Sequence, residues 1–302
     1  MNVLTLLVIA FIALVCTLPA TAEERPYEVD PEPGTSEPAL WMIRDADSAV
    51  YLFGTIHVSD GGTTWRTDLF EALDDAAAIT VMETTFDPAS LQAQVEASLE
   101  LGMDFDAPPL DERLGPVLAE RVRRAAKRLG LPLMGVAKQE PWLMILMLTE
   151  FEAQRAGLQG ASAIDLQIHH HADADGDQLR GLATPRELSE ILAGIPADAQ
   201  RAWLADTLSS IDGTGRELAR VHDAWRTGDL KGIEEVTESF RAVPEVYQRL
   251  LTARNRKWVP IIRELLAGSE DVLFCAGVAH FVGPDSVLRL LEGEGLTVKR
   301  LQ

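Results

Sequence analysis

The sequence predicts an α/β fold in which a central mixed, mostly parallel sheet is flanked by helices. Short apolar runs bounded by turn residues alternate with longer segments of helical period. Several of the runs are apolar throughout, which is typical of strands covered on both faces. The strand signal disappears between residues 185 and 268. We therefore expect a helical insertion at 185–268, before the chain returns to the sheet for its last strands.

Seven runs are predicted as strands, and the longer segments between them as helices. The predicted strands are 40–43, 50–53, 78–82, 133–136, 178–182, 272–276 and 296–301. The clearest predicted helices are 91–101, 117–129, 142–155, 186–193, 199–211 and 243–266. Strands that alternate with helices in this way imply a layered α/β domain.

The N-terminus has the layout of a secretory signal peptide. Residues 3–16 form an uncharged apolar run, and Ala20-Thr21-Ala22 supplies a small-residue cleavage site that two glutamates follow at once. The run is shorter than the span of about 20 residues that a transmembrane helix needs. No Lys or Arg precedes the run, however, so an uncleaved N-terminal anchor is the alternative. The pattern predicts a signal peptide at 1–22 and a periplasmic or secreted protein.

The remaining chain divides into a short leader and one domain. Residues 23–37 are acidic and rich in proline, which predicts a disordered leader, and 38–302 form the α/β domain. Removal of the signal peptide leaves Cys275 as the only cysteine, so the mature protein has no internal disulfide. Cys275 lies in an apolar run and is expected to be a buried, unreactive core residue.

The charge of the chain limits its partners. The net charge is -20 and the sequence pI is about 4.6, so the protein repels nucleic acid and anionic lipid. We expect no nucleic-acid partner and no membrane association after signal cleavage. A cationic metal or a basic peptide would be attracted, although solubility alone also explains such a charge.

Four of the six histidines favour structural interpretations. His169, His170 and His171 lie in a predicted helix, where successive side chains point about 100° apart and cannot converge on one ion. The run 173–177 that follows resembles the start of a calcium loop. The loop positions that need glycine and glutamate are occupied by Gln178 and Thr184, so we interpret the run as a polar turn. His222 lies on the apolar stripe of a helix, which is typical of a histidine in the core.

The other two histidines share a motif. His57 and His280 each follow an apolar strand in the pattern G-x-x-H, and Glu83 directly follows a third strand. We expect the glycines to turn the backbone sharply, and the side chains to lie beyond the carboxyl edge of the sheet, where open α/β folds bind ligands. If the strands are neighbours, two imidazoles and a carboxylate meet in one cleft. Imidazole nitrogens and a carboxylate are ligands that a divalent metal ion accepts, so this group is a candidate metal site.

A helix near the C-terminus supplies two further candidates. Arg254 lies four residues after Leu250 and four before Trp258, so it points inward with the apolar stripe, as Asn255 does with Leu251. A buried guanidinium needs a partner. Arg254 either pairs with a carboxylate as a structural contact or lines the site and binds an anionic group.

These residues resemble those of TraB/GumN proteins. The similar stretches are Pro38–Trp41, 51–58, 81–83, 139–142, 251–255 and 277–280, in this order along the chain. The resemblance covers residues 38–302, and it extends to His57, Glu83, Arg254, Asn255 and His280. One departure is visible, because Ala183 stands where relatives tend to have glutamate.

The resemblance implies several activities. The wider superfamily includes the Tiki proteins, which are metal-dependent proteases that need two G-x-x-H motifs and a glutamate and use manganese or cobalt. It also includes erythromycin-esterase-like hydrolases and ChaN-like haem-binding lipoproteins. The sequence has no G-x-S-x-G elbow, no H-E-x-x-H, no phosphate loop and no dinucleotide fingerprint.

The working hypothesis is an exported metal-dependent hydrolase that acts on a peptide or another small molecule. His57, Glu83 and His280 would bind manganese or cobalt, with zinc as a further option, and Glu83 is a ligand or the general base. Arg254 would stabilise a substrate carboxylate or oxyanion, with Asn255 as a second binding residue. The alternatives are a metal-independent esterase-like hydrolase, a non-enzymatic haem or ligand binder, and histidines that merely cap the strands.

Overall fold

The structure is a computed structural model that describes residues 36–302, apart from the side chains of Ser239 and Phe240. The predicted signal peptide and residues 23–35 of the predicted leader lie outside the described residues. Within this part of the chain the strands are β1 (Leu40–Arg44), β2 (Ala49–Thr55), β3 (Ile79–Met82), β4 (Gln178–Gly181), β5 (Val272–Gly277) and β6 (Lys299–Arg300).

The strands form one sheet in the order β4-β3-β5-β2-β1-β6. β4, β3, β5 and β2 pair in parallel, whereas β1 runs antiparallel to both β2 and β6. The sheet is therefore mixed and mostly parallel, as the sequence predicts. Since β5 lies between β3 and β2, the strand ends that carry the candidate residues are neighbours.

Helices cover both faces of the sheet. They are α1 (Asp68–Asp74), α2 (Pro88–Gly102), α3 (Leu110–Leu114), α4 (Pro116–Arg128), α5 (Leu133–Val136), α6 (Pro141–Arg155), α7 (Ile164–Asp175), α8 (Pro185–Ala193), α9 (Ala197–Ser210), α10 (Thr214–Arg226), α11 (Leu230–Glu238), α12 (Pro244–Tyr247), α13 (Ala253–Leu266) and α14 (Val287–Gly293). A π-helical segment, Gln248–Thr252, joins α12 to α13. None of the helices between residues 36 and 302 is both long and apolar enough to span a bilayer.

The side chains of β5 show why the central strands are apolar at every position. Successive side chains of a strand point to opposite faces. Leu273 and Cys275 pack into the core that contains α6, whereas Phe274 packs on the other face with Trp258 of α13. Both faces are thus covered by helices. Cys275 is buried, and burial raises the pKa of its thiol well above the usual value, as expected for an unreactive core residue.

The predicted strand at 133–136 is wrong, because this segment forms the short helix α5. The backbone N–H groups of Val136 and Ala137 donate to the carbonyls of Pro132 and Leu133, four residues earlier in each case. The side chains of Leu133 and Met134 are exposed rather than enclosed in a sheet. A run of four apolar residues does not by its periodicity distinguish a strand from one helical turn.

The block before the last strands is helical, as predicted. Every regular element that the structure describes between Pro185 and Leu266 is a helix, from α8 to α13. This block also contacts the sheet, since the Trp225 indole N–H of α10 donates to the carbonyl of Gly54 in β2 over 2.7 Å. The predicted last strand, 296–301, is reduced to the two residues of β6.

The glycines of the two G-x-x-H motifs do not make the sharp turns that we expected. Gly54 lies inside β2, Gly277 ends β5 with a φ of -51°, and neither has a positive φ. A Cβ on Gly54 would lie 2.8 Å from Cγ2 of Val278 and 3.1 Å from its Cα. The first glycine therefore makes room for the backbone of the second motif.

We predict that Gly54→Ala destabilises the fold by about 1–3 kcal/mol, the usual cost of overpacking a core. The added methyl group meets the backbone of Val278, which cannot move without displacing the turn before His280. Urea unfolding checks this, with Gly62→Ala as the matched control, because a Cβ on Gly62 meets nothing within 4 Å. Equal unfolding free energies for the two variants would contradict the close-approach argument.

Candidate active site

Three neighbouring strands deliver the candidate residues to one edge of the sheet. Glu83 directly follows β3, His57 lies two residues beyond β2, and His280 lies three residues beyond β5. All three strands run in the same direction, so these residues follow their carboxyl ends. The Nε2 atom of His280 lies 3.8 Å from Oε1 of Glu83. The structure thus brings Glu83 and His280 together, and the charge of His57 acts on both of them.

The Glu83 carboxylate lies at the centre of this cluster. Its Oε1 accepts the backbone N–H of Gly277 over 2.7 Å, and its Oε2 accepts a short hydrogen bond from the Arg254 guanidinium. Only 12 % of the Glu83 side chain is exposed. Burial alone would raise its pKa, but the charges of Arg254 and of the two histidines outweigh burial and hold the pKa well below its usual range. Glu83 is therefore an ionised carboxylate throughout the neutral pH range.

His280 presents an unpaired nitrogen to Glu83. The Nδ1 atom of His280 lies 2.5 Å from Oδ1 of Asn255, and the amide nitrogen of Asn255 donates to the carbonyl of Asp285. This second bond fixes the amide orientation, so Nδ1 of His280 must be the donor and Nε2 carries the lone pair. Nε2 is buried and has no hydrogen-bond partner among residues 36–302. Burial, together with the charge of Arg254, lowers the pKa of His280 to about 3.

His57 has a different partner. Its Nδ1 lies 2.8 Å from Oδ2 of Asp165, and Oδ1 of Asp165 accepts the hydroxyl of Thr55 over 2.5 Å. Burial alone would lower the pKa of His57, but the Asp165 carboxylate outweighs burial and raises it. The two motif histidines thus differ, because one is held by a carboxylate and favours its protonated form whereas the other is held by an amide and stays neutral.

Asp165 was not among the residues predicted from the sequence, although its position in α7 carries a signal. Asp165, Ile168, His169 and Ala172 have the spacing of one helix face, and all four are buried in α7. A carboxylate on an apolar helix face is the same kind of signal that singled out Arg254. The turn that carries His57 is also fixed to the start of α7, since the N–H of Ile164 donates to the carbonyl of Ile56 over 3.1 Å.

Arg254 and Asn255 reach the cluster from α13, directly after the π-helical segment. The Arg254 guanidinium lies 4.7 Å from the ring centre of Trp258, and 13 % of its side chain is exposed. The ring of Trp258 also lies 4.4 Å from that of His280. Of the two alternatives for Arg254, the structure shows a carboxylate partner, and this partner is the candidate site residue Glu83.

The remaining sequence candidates lie elsewhere. His169 is buried, His170 is exposed and His171 is half-buried, so their side chains diverge as predicted. His222 is a buried core residue that lies 3.8 Å from Asp60 and contacts Trp225. The segment 173–177 ends α7 with a left-handed glycine before β4, which is the predicted polar turn.

Two observations show that the cluster is not arranged to hold a metal ion while Arg254 is bound to Glu83. Ala183 follows β4 beside the cluster, and its N–H donates to the carbonyl of Glu83 over 3.0 Å, so its methyl group adds no ligand atom there. Among residues 36–302, no three His, Cys, Asp or Glu side chains are arranged so that they could hold a metal ion as they stand. In this arrangement Arg254 occupies one oxygen of Glu83 and Gly277 the other.

The opposite pKa shifts of the two histidines predict a stability maximum near their unperturbed pKa of about 6.5. Because the pKa of His57 is raised, its contribution is complete below pH 6.5 and is lost as the pH rises through the folded-state pKa. The pKa of His280 is about 3, so its contribution is complete above pH 6.5 and is lost as the pH falls toward 3. Each proton changes the unfolding free energy by at most about 1.4 kcal/mol per pH unit.

Urea unfolding at pH 4.5, 6.5 and 8.5 tests this prediction. Asp165→Asn should flatten the alkaline side of the profile, and His280→Gln should flatten the acid side. His170→Gln, which changes an exposed histidine of α7, is the control. The account of the two imidazoles fails if both variants lower stability by the same amount at all three pH values.

Comparison with known proteins places the chain in a family. It is 22 % identical over 258 residues to "Uncharacterized protein YbaP" of Escherichia coli (strain K12), which is 84 % of this chain and 92 % of the relative, and it is similar to the same degree to YbaP of Shigella flexneri. No solved structure matches the chain significantly. The sequence profile of the TraB/PrgY/gumN family matches residues 39–300. The chain therefore belongs to the TraB/PrgY/gumN family.

Proposed function

We propose that the protein is an exported hydrolase that uses a divalent metal ion at the cluster of His57, Glu83 and His280. The observation that carries the proposal is the buried Nε2 of His280, which has no partner within the described part of the chain and lies 3.8 Å from an ionised carboxylate oxygen. Both atoms are acceptors in these protonation states. A buried pair of acceptors is stabilised by a donor or a cation between them.

The donor chemistry of the three residues fits a metal ion. Nδ1 of each histidine is held by a second residue, Asp165 or Asn255, which leaves Nε2 to face a ligand, and such outer partners are usual around metal-binding histidines. His57, His280 and Glu83 would hold the ion, and manganese, cobalt and zinc all accept such ligands. When bound, the ion would supply Lewis acidity that polarises the bond to be hydrolysed.

The chain's own groups would perform the remaining tasks. The Asp165 carboxylate accepts the proton of Nδ1 of His57, so it orients the ring and leaves Nε2 to hold the ion. Arg254 would hold a carboxylate or a developing oxyanion of the substrate. Asn255 would orient His280, because its amide is held between that ring and the carbonyl of Asp285. The strongly negative protein field favours basic peptides among candidate substrates.

A metal-independent hydrolase is the second candidate, and the Arg254–Glu83 ion pair favours it. With Glu83 bound by Arg254, the pair of Asp165 and His57 supplies a base whose orientation is already fixed. Both candidates place the reaction at the same edge of the sheet. They differ in whether a chelator abolishes the activity.

Thermal unfolding with manganese, cobalt and zinc tests the metal site. A metal at a hundred times its dissociation constant adds about 2.7 kcal/mol of stability, which corresponds to a rise in Tm of roughly 5 °C for a domain of this size. We expect the rise in the wild type and in the control His170→Ala, and its loss in His57→Ala and His280→Ala. Folded His57→Ala and His280→Ala variants that keep the full rise would show that the metal binds elsewhere.

Hydrolysis of a mixed peptide library distinguishes the two candidates. We expect cleavage that EDTA abolishes and that manganese or cobalt restores, with at least a hundredfold loss in Glu83→Gln. Cleavage that EDTA leaves unchanged but Asp165→Asn abolishes would support the metal-independent hydrolase. An absence of cleavage under both conditions would contradict peptide hydrolysis.

A further inference from the structure

We propose that Arg254 is an internal cation that competes with the divalent metal for Glu83, so that metal binding frees the guanidinium to bind an anionic group of the substrate. This inference rests on the proposed metal-dependent function and adds a coupling between the two bound groups. Glu83 is the shared residue, because it is both a candidate ligand and the partner of Arg254.

The hydrogen bonds of Glu83 show why the two cations compete. The backbone N–H of Gly277, at the end of β5, donates to Oε1 of Glu83. The Arg254 guanidinium donates to Oε2. No oxygen of Glu83 is left without a partner. A divalent ion that binds Glu83 therefore meets the Arg254 guanidinium at the same carboxylate. Two cations at one carboxylate with little access to solvent repel each other strongly.

Arg254 can leave Glu83 without disturbing the rest of the cluster. Its backbone belongs to α13, and the next residue, Asn255, is fixed by Asp285 and His280 on either side of its amide. Its side chain is partly open to solvent and lies over the ring of Trp258. The guanidinium can therefore turn from the carboxylate toward solvent while its stacking surface remains.

The charges around Arg254 support this exchange. The groups that face it are Glu83, His57 and His280, and Asp165 lies behind His57. Without metal, Arg254 compensates the buried charge of Glu83. With metal, the ion takes over this compensation, and the guanidinium is left as an unpaired cation beside the reaction site. Binding of the metal and of an anion at this site should therefore strengthen each other, because coupling between two sites is reciprocal.

Calorimetric titration with Mn²⁺ alone tests the competition in the full-length protein. We expect Arg254→Gln to bind Mn²⁺ at least tenfold more tightly than the wild type, because Glu83 loses its competitor. Arg256→Gln is the matched control, since Arg256 is an exposed residue of the same helix and its loss changes the net charge equally. We expect its affinity to stay within twofold of the wild type.

The outcomes separate this inference from the proposed function. If Arg254→Gln binds Mn²⁺ with the wild-type affinity or more weakly, the competition is overturned but the proposed metal site is not. Mn²⁺ binding that is detected for Arg254→Gln but not for the wild type supports the competition. An absence of binding to every variant overturns both.

A wild-type measurement covers the case in which Arg254→Gln fails to fold. In ¹⁵N spectra of arginine side chains, ion-paired guanidinium groups show slowed rotation and separate Nη signals. We expect the Nη signals of Arg254, assigned with Arg254→Lys, to merge when diamagnetic Zn²⁺ is added. Nη signals that persist at saturating Zn²⁺ overturn the competition.

Discussion

The site depends on the compensation of one buried charge, the carboxylate of Glu83. An ionised carboxylate with little exposure is costly unless it is paired and hydrogen-bonded. Here the end of β5 supplies a backbone N–H and α13 supplies a guanidinium. Glu83 thereby connects the end of β3 to α13 and β5, through partners that lie 171 and 194 residues away in the chain. Loss of one partner of such a pair typically costs about 3–5 kcal/mol, so the buried Glu83 needs a cation beside it, which is Arg254 or, in its place, a bound metal ion.

The two G-x-x-H motifs look alike in sequence but give two unlike imidazoles. A carboxylate holds His57, whereas an amide of fixed orientation holds His280. The difference comes from residues outside both motifs, on α7 and α13. Environments that move two titratable groups in opposite directions are a common basis for dividing acid and base roles. The surrounding helices therefore determine what each motif can do.

Much of the fold and of the site could be predicted because both follow from local patterns. Apolar strands with a polar residue just beyond them identified His57, Glu83 and His280, and helical spacing placed Arg254 inward. Asp165 was missed because it is a single residue whose partner is 108 positions away in the chain. The role of Gly54 was also missed, since its constraint is the approach of Val278 from the turn that follows β5. The spacing within α7 marks Asp165 as buried but does not identify its partner, and no spacing within one segment reveals the contact of Gly54.

We propose that the cluster at the carboxyl edge of β2, β3 and β5 is the functional site and binds a metal ion. Anomalous diffraction from crystals of the protein grown with Mn²⁺ tests it most directly. We expect a manganese peak between His57, Glu83 and His280, with the Arg254 guanidinium displaced from Glu83. A cluster without a peak at saturating Mn²⁺, and with Arg254 still bound to Glu83, would contradict it.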